Sequence, residues 1–600
     1  MIPPADGGAA PLPDLQALRS ALAGGLTVQA VVEQVIARRR AVAAGGIWIT
    51  EVSDAALRER ARQLDVGPRG PLFGIPFAVK DNIDVAGLPT TAACPGFAYT
   101  PDTTAVAVQR LLDAGAILVG KTNLDQFATG LTGTRTPYGE PANAFDADYI
   151  CGGSSSGSAL AVAHGLVSFA LGTDTAGSGR VPAALGNLVG LKPSRGLVST
   201  RGVLPACRSL DCVSVFALTG ADAQAVLNVI AGFDAQDPFS RAFPAAPPTA
   251  PPLRVGVPLP TQREFFGDGA SAAAFERALD ALAALGGQAV DVDYTPFRDA
   301  ARLLYDGPWL AERHLAIREF LAAQPEALLP VVRGIIQGGG GYSADDAFAA
   351  QYRLQALRQA LRPVWDTIDV LVTPTIGTAY TRATVLADPV GLNTNLGYYT
   401  NHMNLLDLCA VAVPCGFLPT GLPFGVTLQA PAGNDRALLV LADRLQRALN
   451  ETLGATGRPL AGTPPLVDAS QSEALLPIAV CGGHMQGLPL NGELTTLGAR
   501  LRERTRTAPA YRLYALAGFS PPRPGLVRDL AGASIDVEVW TLPLANVGTF
   551  LAGVPAPLAV GSVQLADGSW VKGFLCEGHA TAGARDITAL GGWRAWLARR

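Results

Sequence analysis

Two glycine-rich turns, Gly152-Gly153-Ser154-Ser155-Ser156-Gly157 and Gly172-Thr173-Asp174-Thr175-Ala176-Gly177-Ser178-Gly179-Arg180-Val181-Pro182, lie about twenty residues apart and constrain this chain more than any other feature. Each sets serine among residues with small side chains. A hydroxyl on such a tight turn stands free, and the uncrowded backbone N–H groups around it converge on an anionic oxygen. This layout suits acyl transfer. Between the turns, residues 159–170 read as a buried helix, so the spacing predicts turn, helix and turn stacked on one core.

Upstream, Gly74-Ile75-Pro76-Phe77-Ala78-Val79-Lys80-Asp81-Asn82 places a lysine at the end of a short apolar run that reads as a strand. A lysine buried there is costly unless it is neutral or paired. Desolvation lowers its pKa and can make it a base near neutral pH, with no histidine required. The same pattern also fits a solvated strand end, and a run rich in glycine and serine also fits an ordinary loop. A rival nucleophile, Ser155 in the Gly-x-Ser-x-Gly pentapeptide 153–157, has no further elbow feature elsewhere in the chain.

The organisation around these segments is α/β. Residues 15–40 read as two short helices with Thr27 capping the second, 105–114 as a helix, and 117–121 as a strand entering a loop. Strands alternating with helices from residue 71 to about 218 favour an α/β core. Further strands are expected at 253–258 and 368–375. A Pro/Ala-rich stretch, 239–252, reads as a surface connection inside the large domain. The clearer boundary is 454–473, after a helix over 435–453 and before a strand over 476–481. The expected domains are therefore 1–465 and 476–600, joined by a linker at 466–475. The second reads as a small α+β domain of short strands, with turns at Gly482-Gly483, Pro521-Pro522-Arg523-Pro524-Gly525 and Asp567-Gly568.

Composition narrows the partners. The 600 residues are 49% hydrophobic and 16% charged, with a net charge of −4 and no basic stripe to neutralise phosphates, so nucleic acid is not expected. No basic start or apolar core marks residues 1–13 as a signal peptide, and apolar stretches such as 160–171 are too short to span a bilayer. A cytoplasmic location is the expectation. Eight cysteines stand singly, without Cys-x-x-Cys or paired histidine spacing, so reduced thiols and no metal site are expected. Cys151, beside the first turn, reads as a small buried hydrophobe.

The three segments around Lys80, Ser154 and Ser178, with Asp-Asn after the lysine and Arg-x-Pro after the second serine, resemble the amidase signature family of serine amidohydrolases. That resemblance implies a mixed central sheet flanked by helices and a Ser-Ser-Lys triad. Ser178 would be the nucleophile, Ser154 the bridging serine after a cis peptide bond, and Lys80 the terminal base. The N–H groups of Thr175, Ala176, Gly177 and Ser178 would form the oxyanion hole. No cofactor is implied.

Four further segments, 125–135, 305–313, Tyr399-Thr400-Asn401 and 405–409, look like those of allophanate hydrolases, and the resemblance then covers nearly the whole chain. Allophanate is a urea whose far nitrogen carries a carboxylate, so a cation must face the nucleophile. Arg313 and Tyr305 are the candidate clamp, with Gly130 as a further substrate-binding position. Arg313 alone also fits a surface ion pair with Glu312 or Glu319. Pro308 suits a helix N1 position, which puts Tyr305 in the entering turn. Gly179 replaces the bulky aliphatic residue of the common signature, as suits allophanate hydrolases, and Arg135 is a second cation with no assigned role.

The 476–600 segment is similar to the allophanate hydrolase C-terminal domain, which implies a γ-glutamylcyclotransferase-like fold and a part in removing carbon dioxide from N-carboxycarbamate. His484 falls in the segment holding that family's functional histidine, though a single histidine in a turn is also read as structural; His579 is a weaker candidate. A homodimer is common in the family. With no Met-Lys-Met biotin site, a urea carboxylase or triazine-degrading enzymes would be separate proteins. Three other readings stay open: an amidase of broader specificity, a component of an ammonia-supplying amidotransferase, and a C-terminal segment that serves only assembly.

Overall fold

The computed structural model describes residues 10–42, 45–243, 253–466 and 475–599. Residues 1–9, residues 244–252 of the expected surface connection and 467–474 of the expected linker lie outside the described residues. The chain divides into two compact units, Met1–Leu466 and Val467–Arg600.

The first unit is built on one mixed sheet of eleven strands: β1 (Trp48–Glu51), β2 (Pro76–Lys80), β3 (Ile117–Thr122), β4 (Phe169–Asp174), β5 (Val189–Lys192), β6 (Cys212–Ala217), β7 (Leu253–Pro258), β8 (Gly287–Val292), β9 (Val370–Pro374), β10 (Leu408–Phe417) and β11 (Pro423–Pro431). Their spatial order is β1-β3-β2-β4-β6-β5-β10-β11-β9-β7-β8. The strands from β2 to β6 are buried along their whole length, as largely apolar runs covered on both faces require. β2 runs parallel to both β3 and β4, and Phe77 stacks on its register partner Phe169 at 5.4 Å. Parallel pairing brings the carboxyl ends of β2 and β4 to one edge, the edge where ligands bind in open α/β sheets. Lys80 and Asp174 are the last residues of these two strands.

Local sequence accounts for most helix bounds. Thr27 caps Val28–Ala41 by accepting from the Ala30 N–H, as expected. The helix expected over 159–170 instead spans Ser156–Ala163. His164 and Gly165 end it, with Gly165 at φ +63°, and Phe169 and Ala170 pair within the sheet. The helix expected over 435–453 stops at Leu449, and Thr452–Leu453 forms a short ladder with Arg458–Pro459. Pro308 is the N-cap, not N1, of helix Trp309–Ala323, and Tyr305 ends the preceding helix Thr295–Tyr305 instead of entering the next. The break falls at Gly307, where a Cβ would meet the Leu303 carbonyl oxygen at 2.4 Å.

The second unit is α+β. A five-stranded sheet has Leu475–Val480 at its centre, antiparallel to Asp536–Pro543 and parallel to Trp570–Cys576. A second sheet of three strands has Arg523–Arg528 at its edge, paired with Tyr511–Leu516. The run 521–525, expected as a turn, thus feeds this strand. Pro524 is tolerated because an edge strand has one side on which no N–H is needed. Ile478, Val480, Leu513, Val539 and Trp593 fill the unit's own core.

Candidate active site

Lys80 emerges from the end of β2 into a fully buried site. Its Nζ donates to Ser154 Oγ at 2.7 Å and to Thr173 Oγ1 at 2.8 Å. No carboxylate among the described residues lies within ion-pair distance. Burial therefore drives the ammonium pKa from 10.5 to about 7, against the weaker opposite pull of Asp125, Asp211 and Asp174. At neutral pH the amine is poised to exchange a proton with the hydroxyl it touches.

Ser154 follows a cis peptide bond from Gly153. The turn around it is held by close backbone approach: the Gly153 N–H donates to the Leu131 carbonyl and the Asp125 N–H to the Ser154 carbonyl. A Cβ on Gly153 would come 2.1 Å from Asp125 Oδ2, so only glycine fits. Ser155, the rival nucleophile, donates to the Thr173 carbonyl at 3.1 Å and thereby pins one glycine turn to the other. Cys151 is buried, and burial pushes its thiol up, away from thiolate chemistry.

Ser178 lies in the second turn, which Asp174 shapes. The Asp174 carboxylate accepts from the Gly177 and Gly179 N–H groups and pairs with the buried Arg180 guanidinium at 2.8 and 2.9 Å. Burial pushes this carboxyl up, and Arg180 and the turn's N–H groups outweigh it and hold it down. The Gly177 N–H, one of the four expected to form an oxyanion hole, thus donates to Asp174. Asn404 fixes the same turn from outside through the carbonyls of Asp174 and Thr175. Gly177 has φ +132°, and its Cβ would meet Thr400 Oγ1 at 2.5 Å; a Cβ on Gly179 would strike Ser214 at 2.6 Å. Gly179 is small because Ser214 occupies the space.

Arg313 is 2% exposed and not at the surface. Its guanidinium donates to the Ala128 carbonyl at 3.3 Å, to Thr129 Oγ1 at 3.2 Å and to the Tyr305 hydroxyl at 3.5 Å, and lies over the Tyr305 ring. Of the two alternative partners, Glu312 accepts from Ser209, and no carboxylate, Glu319 included, pairs with Arg313 among the described residues. Its Nε has no partner either. Near it, Asp211 accepts from Thr175 Oγ1 at 2.5 Å, and burial raises its carboxyl to about 6. Gly130 has φ +157°, and a Cβ there would meet Asp125 Oδ2 at 2.7 Å, so close packing explains its identity.

Sequence reasoning gives no role to Thr173, Asp211, Arg180 or Asn404. Thr173 and Arg180 fall inside the second glycine motif, but nothing local marks Asp211 or Asn404.

In the second unit His484 is buried, with Nε2 at 2.8 Å from Glu493, its ring stacked on Phe574 at 5.0 Å and edge-on to Phe550. Burial lowers its pKa, and Glu493 opposes the shift. Arg523 lines the same small cavity. His579 is exposed beside Glu577. Among the described residues no cluster of His, Cys, Asp and Glu could hold a metal, and no helix is long and apolar enough to cross a membrane.

Residues 30–439 match the Amidase family. The chain belongs to the amidase family. As a member it is an amidohydrolase, and residues 476–598 match the allophanate hydrolase C-terminal domain. The chain is 40% identical to a solved Kluyveromyces lactis allophanate hydrolase, with a TM-score of 0.76, covering 98% of this chain and 99% of that one. It is 45% identical over 547 residues to the urea amidolyase of Saccharomyces cerevisiae, covering 88% of this chain and 30% of that protein. This amidase thus spans under a third of that relative's length. The urea amidolyase of Lachancea kluyveri is 43% identical over 571 residues, covering 92% of this chain and 31% of that protein.

Proposed function

We propose that this amidase hydrolyses allophanate to ammonia and N-carboxycarbamate. The observation that carries the reading is Arg313: a buried guanidinium with no carboxylate in ion-pair contact among the described residues, bound to Tyr305 and near enough to Lys80 to oppose its charge. Asp211 and Glu312 act on this cation without pairing with it, so a substrate carboxylate gripped by two charge-assisted bonds supplies the direct contact it lacks. Uncharged amides give no such return.

In this reading neutral Lys80 takes a proton from Ser154, Ser154 takes one from Ser178, and Ser178 Oγ attacks the terminal ureido carbon. The Thr175, Ala176 and Ser178 N–H groups stabilise the oxyanion. The relay returns the proton to the departing nitrogen, ammonia leaves, and an acyl-enzyme remains. Water, activated by the same relay, releases N-carboxycarbamate. The second unit then assists loss of carbon dioxide, with His484 and Glu493 positioned to supply the proton that replaces it. A homodimer, a cytoplasmic location and domain limits at 465 and 476 belong to the same reading. It draws support from the similarity to the K. lactis allophanate hydrolase along nearly all of both chains.

The test is Arg313→Ala, assayed on allophanate and on biuret, which replaces the carboxylate by an uncharged amide. The kcat/KM for allophanate falls by about 100-fold or more, the scale of a lost charge-assisted pair, and that for biuret changes less than about threefold. Equal losses on both substrates would contradict the clamp.

A further inference from the structure

A cavity of about 480 Å³ in the first unit reaches from exposed residues, among them Arg302, Asp306 and Val390, to the buried Arg135 and Asn401. Three arginines line it, and Asp306 is the sole acidic residue among its lining. They form a gradient of burial: Arg302 is exposed, Arg298 half-buried and Arg135 3% exposed. Among the described residues none of the three makes an ion pair; Asp125 acts on Arg135 without touching it, Arg135 also donates to the Pro389 carbonyl, and the Nε atoms of Arg135 and Arg298 are buried without a hydrogen-bond partner. Asp299, the acid next to Arg298 in sequence, is taken by Arg353 instead.

Two of these cations repel each other by construction. Arg298 and Arg302 stand four residues apart on helix Thr295–Tyr305, where like charges destabilise a helix. Tyr305, three residues on, faces the same cavity. Its hydroxyl receives Arg313. The floor makes a second link to the site, because Arg135 donates to the Thr129 carbonyl while Arg313 donates to the hydroxyl of the same threonine. The buried Asn401 adds an unpartnered side-chain oxygen, an acceptor for a ligand that carries N–H groups as well as an anion.

We propose that this cavity is the entry vestibule for the carboxylate-bearing substrate. Arg302 and Arg298 draw the anion from solvent, and Arg135 receives it beside the Tyr305–Arg313 clamp. A recess lined by one sign of charge raises the local concentration of the opposite ion and its on-rate, an effect that salt weakens. The inference rests on the allophanate reading and assigns positioning roles, not chemistry, to the three arginines.

The experiment measures kcat and KM for allophanate with the full chain at ionic strengths of about 20 mM and about 300 mM. It compares wild type, Arg298→Gln/Arg302→Gln, and Arg298→Lys/Arg302→Lys. The glutamine pair raises KM about tenfold at low salt, leaves kcat within about twofold and flattens the salt dependence; the lysine pair restores most of the wild-type behaviour. Wild-type KM and salt dependence in the glutamine pair would overturn the vestibule alone. A collapse of kcat in both variant pairs would mark a structural role and overturn it too. Failure of the wild type to consume allophanate would overturn the parent reading, and the vestibule with it.

Discussion

Lys80 and Lys121 are both fully buried on adjacent strands, and they differ in what surrounds the amine. The register pairs Val79 with Lys121, so the two lysines leave the sheet on opposite faces. Lys121 meets the Asp81 carboxylate at 3.4 Å, together with the Pro89 carbonyl and the Thr90 hydroxyl. Lys80 meets two hydroxyls and, among the described residues, no acid in contact. Burial lowers the pKa of both amines, and at Lys121 a carboxylate in direct contact opposes the fall without reversing it. Burial alone therefore does not set the two apart; the hydroxyls that the glycine turns present in place of a carboxylate leave Lys80 without that opposing contact.

The comparison breaks most sharply by exchange for methionine. Lys80→Met lowers turnover of allophanate by about 1,000-fold or more, because the proton from Ser154 then has no acceptor, and the protein stays folded. Lys121→Met strands Asp81 as an uncompensated buried charge, with a stability loss of roughly 3–5 kcal/mol and kcat of the folded fraction held within about tenfold. Steady-state rates and thermal unfolding of both variants check the contrast. Loss of activity with intact stability in both would erase it.

A pH series sharpens the same point. In the proposed relay the active form of Lys80 is the neutral amine, so kcat/KM falls about tenfold per unit below pH about 7 and levels off above it. Stability carries the matching sign. Between about 7 and 10.5 the unfolded state holds a proton on this lysine that the folded state lacks, so Lys80 makes stability rise with pH across that window. Comparing the slope of unfolding free energy with pH in wild type and Lys80→Met isolates this contribution. A kcat/KM profile flat from pH 6 to 9 would count against a lysine base.

The smallest effect separates the two units. His484→Asn leaves the first ammonia released per allophanate unchanged in rate and slows the second severalfold, since carbamate chemistry also proceeds without help. A stopped assay that counts ammonia over time reads both phases. An equal slowing of the first phase would assign His484 to something other than the second step.

Much of this site is legible in the sequence because the residues of the proposed relay sit in short, glycine-marked runs whose backbone demands are local. Lys80, Ser154 and Ser178 and the alternation of strands and helices fall in that class. The distinction between Lys80 and Lys121 does not. Both end apolar strands, and the hydroxyls that distinguish Lys80 come from 74 and 93 residues away. Asp211 and Asn404 are single polar residues whose role emerges only when the chain returns to the second turn. Gly307-Pro308 reads as a helix start and so puts Tyr305 in a turn; the break is real, but Tyr305 closes the helix before it. The edge position that makes Pro524 a strand residue and not a turn residue is likewise a property of the sheet, absent from the local run.

The central claim is best tested by the ammonia released per allophanate consumed by the purified protein, with Ser178→Ala alongside. The account predicts two ammonia per allophanate, a yield lost in Ser178→Ala while its circular dichroism stays that of the wild type. Intact allophanate together with hydrolysis of uncharged amides would contradict it, leaving an amidase whose Arg313 serves some other end.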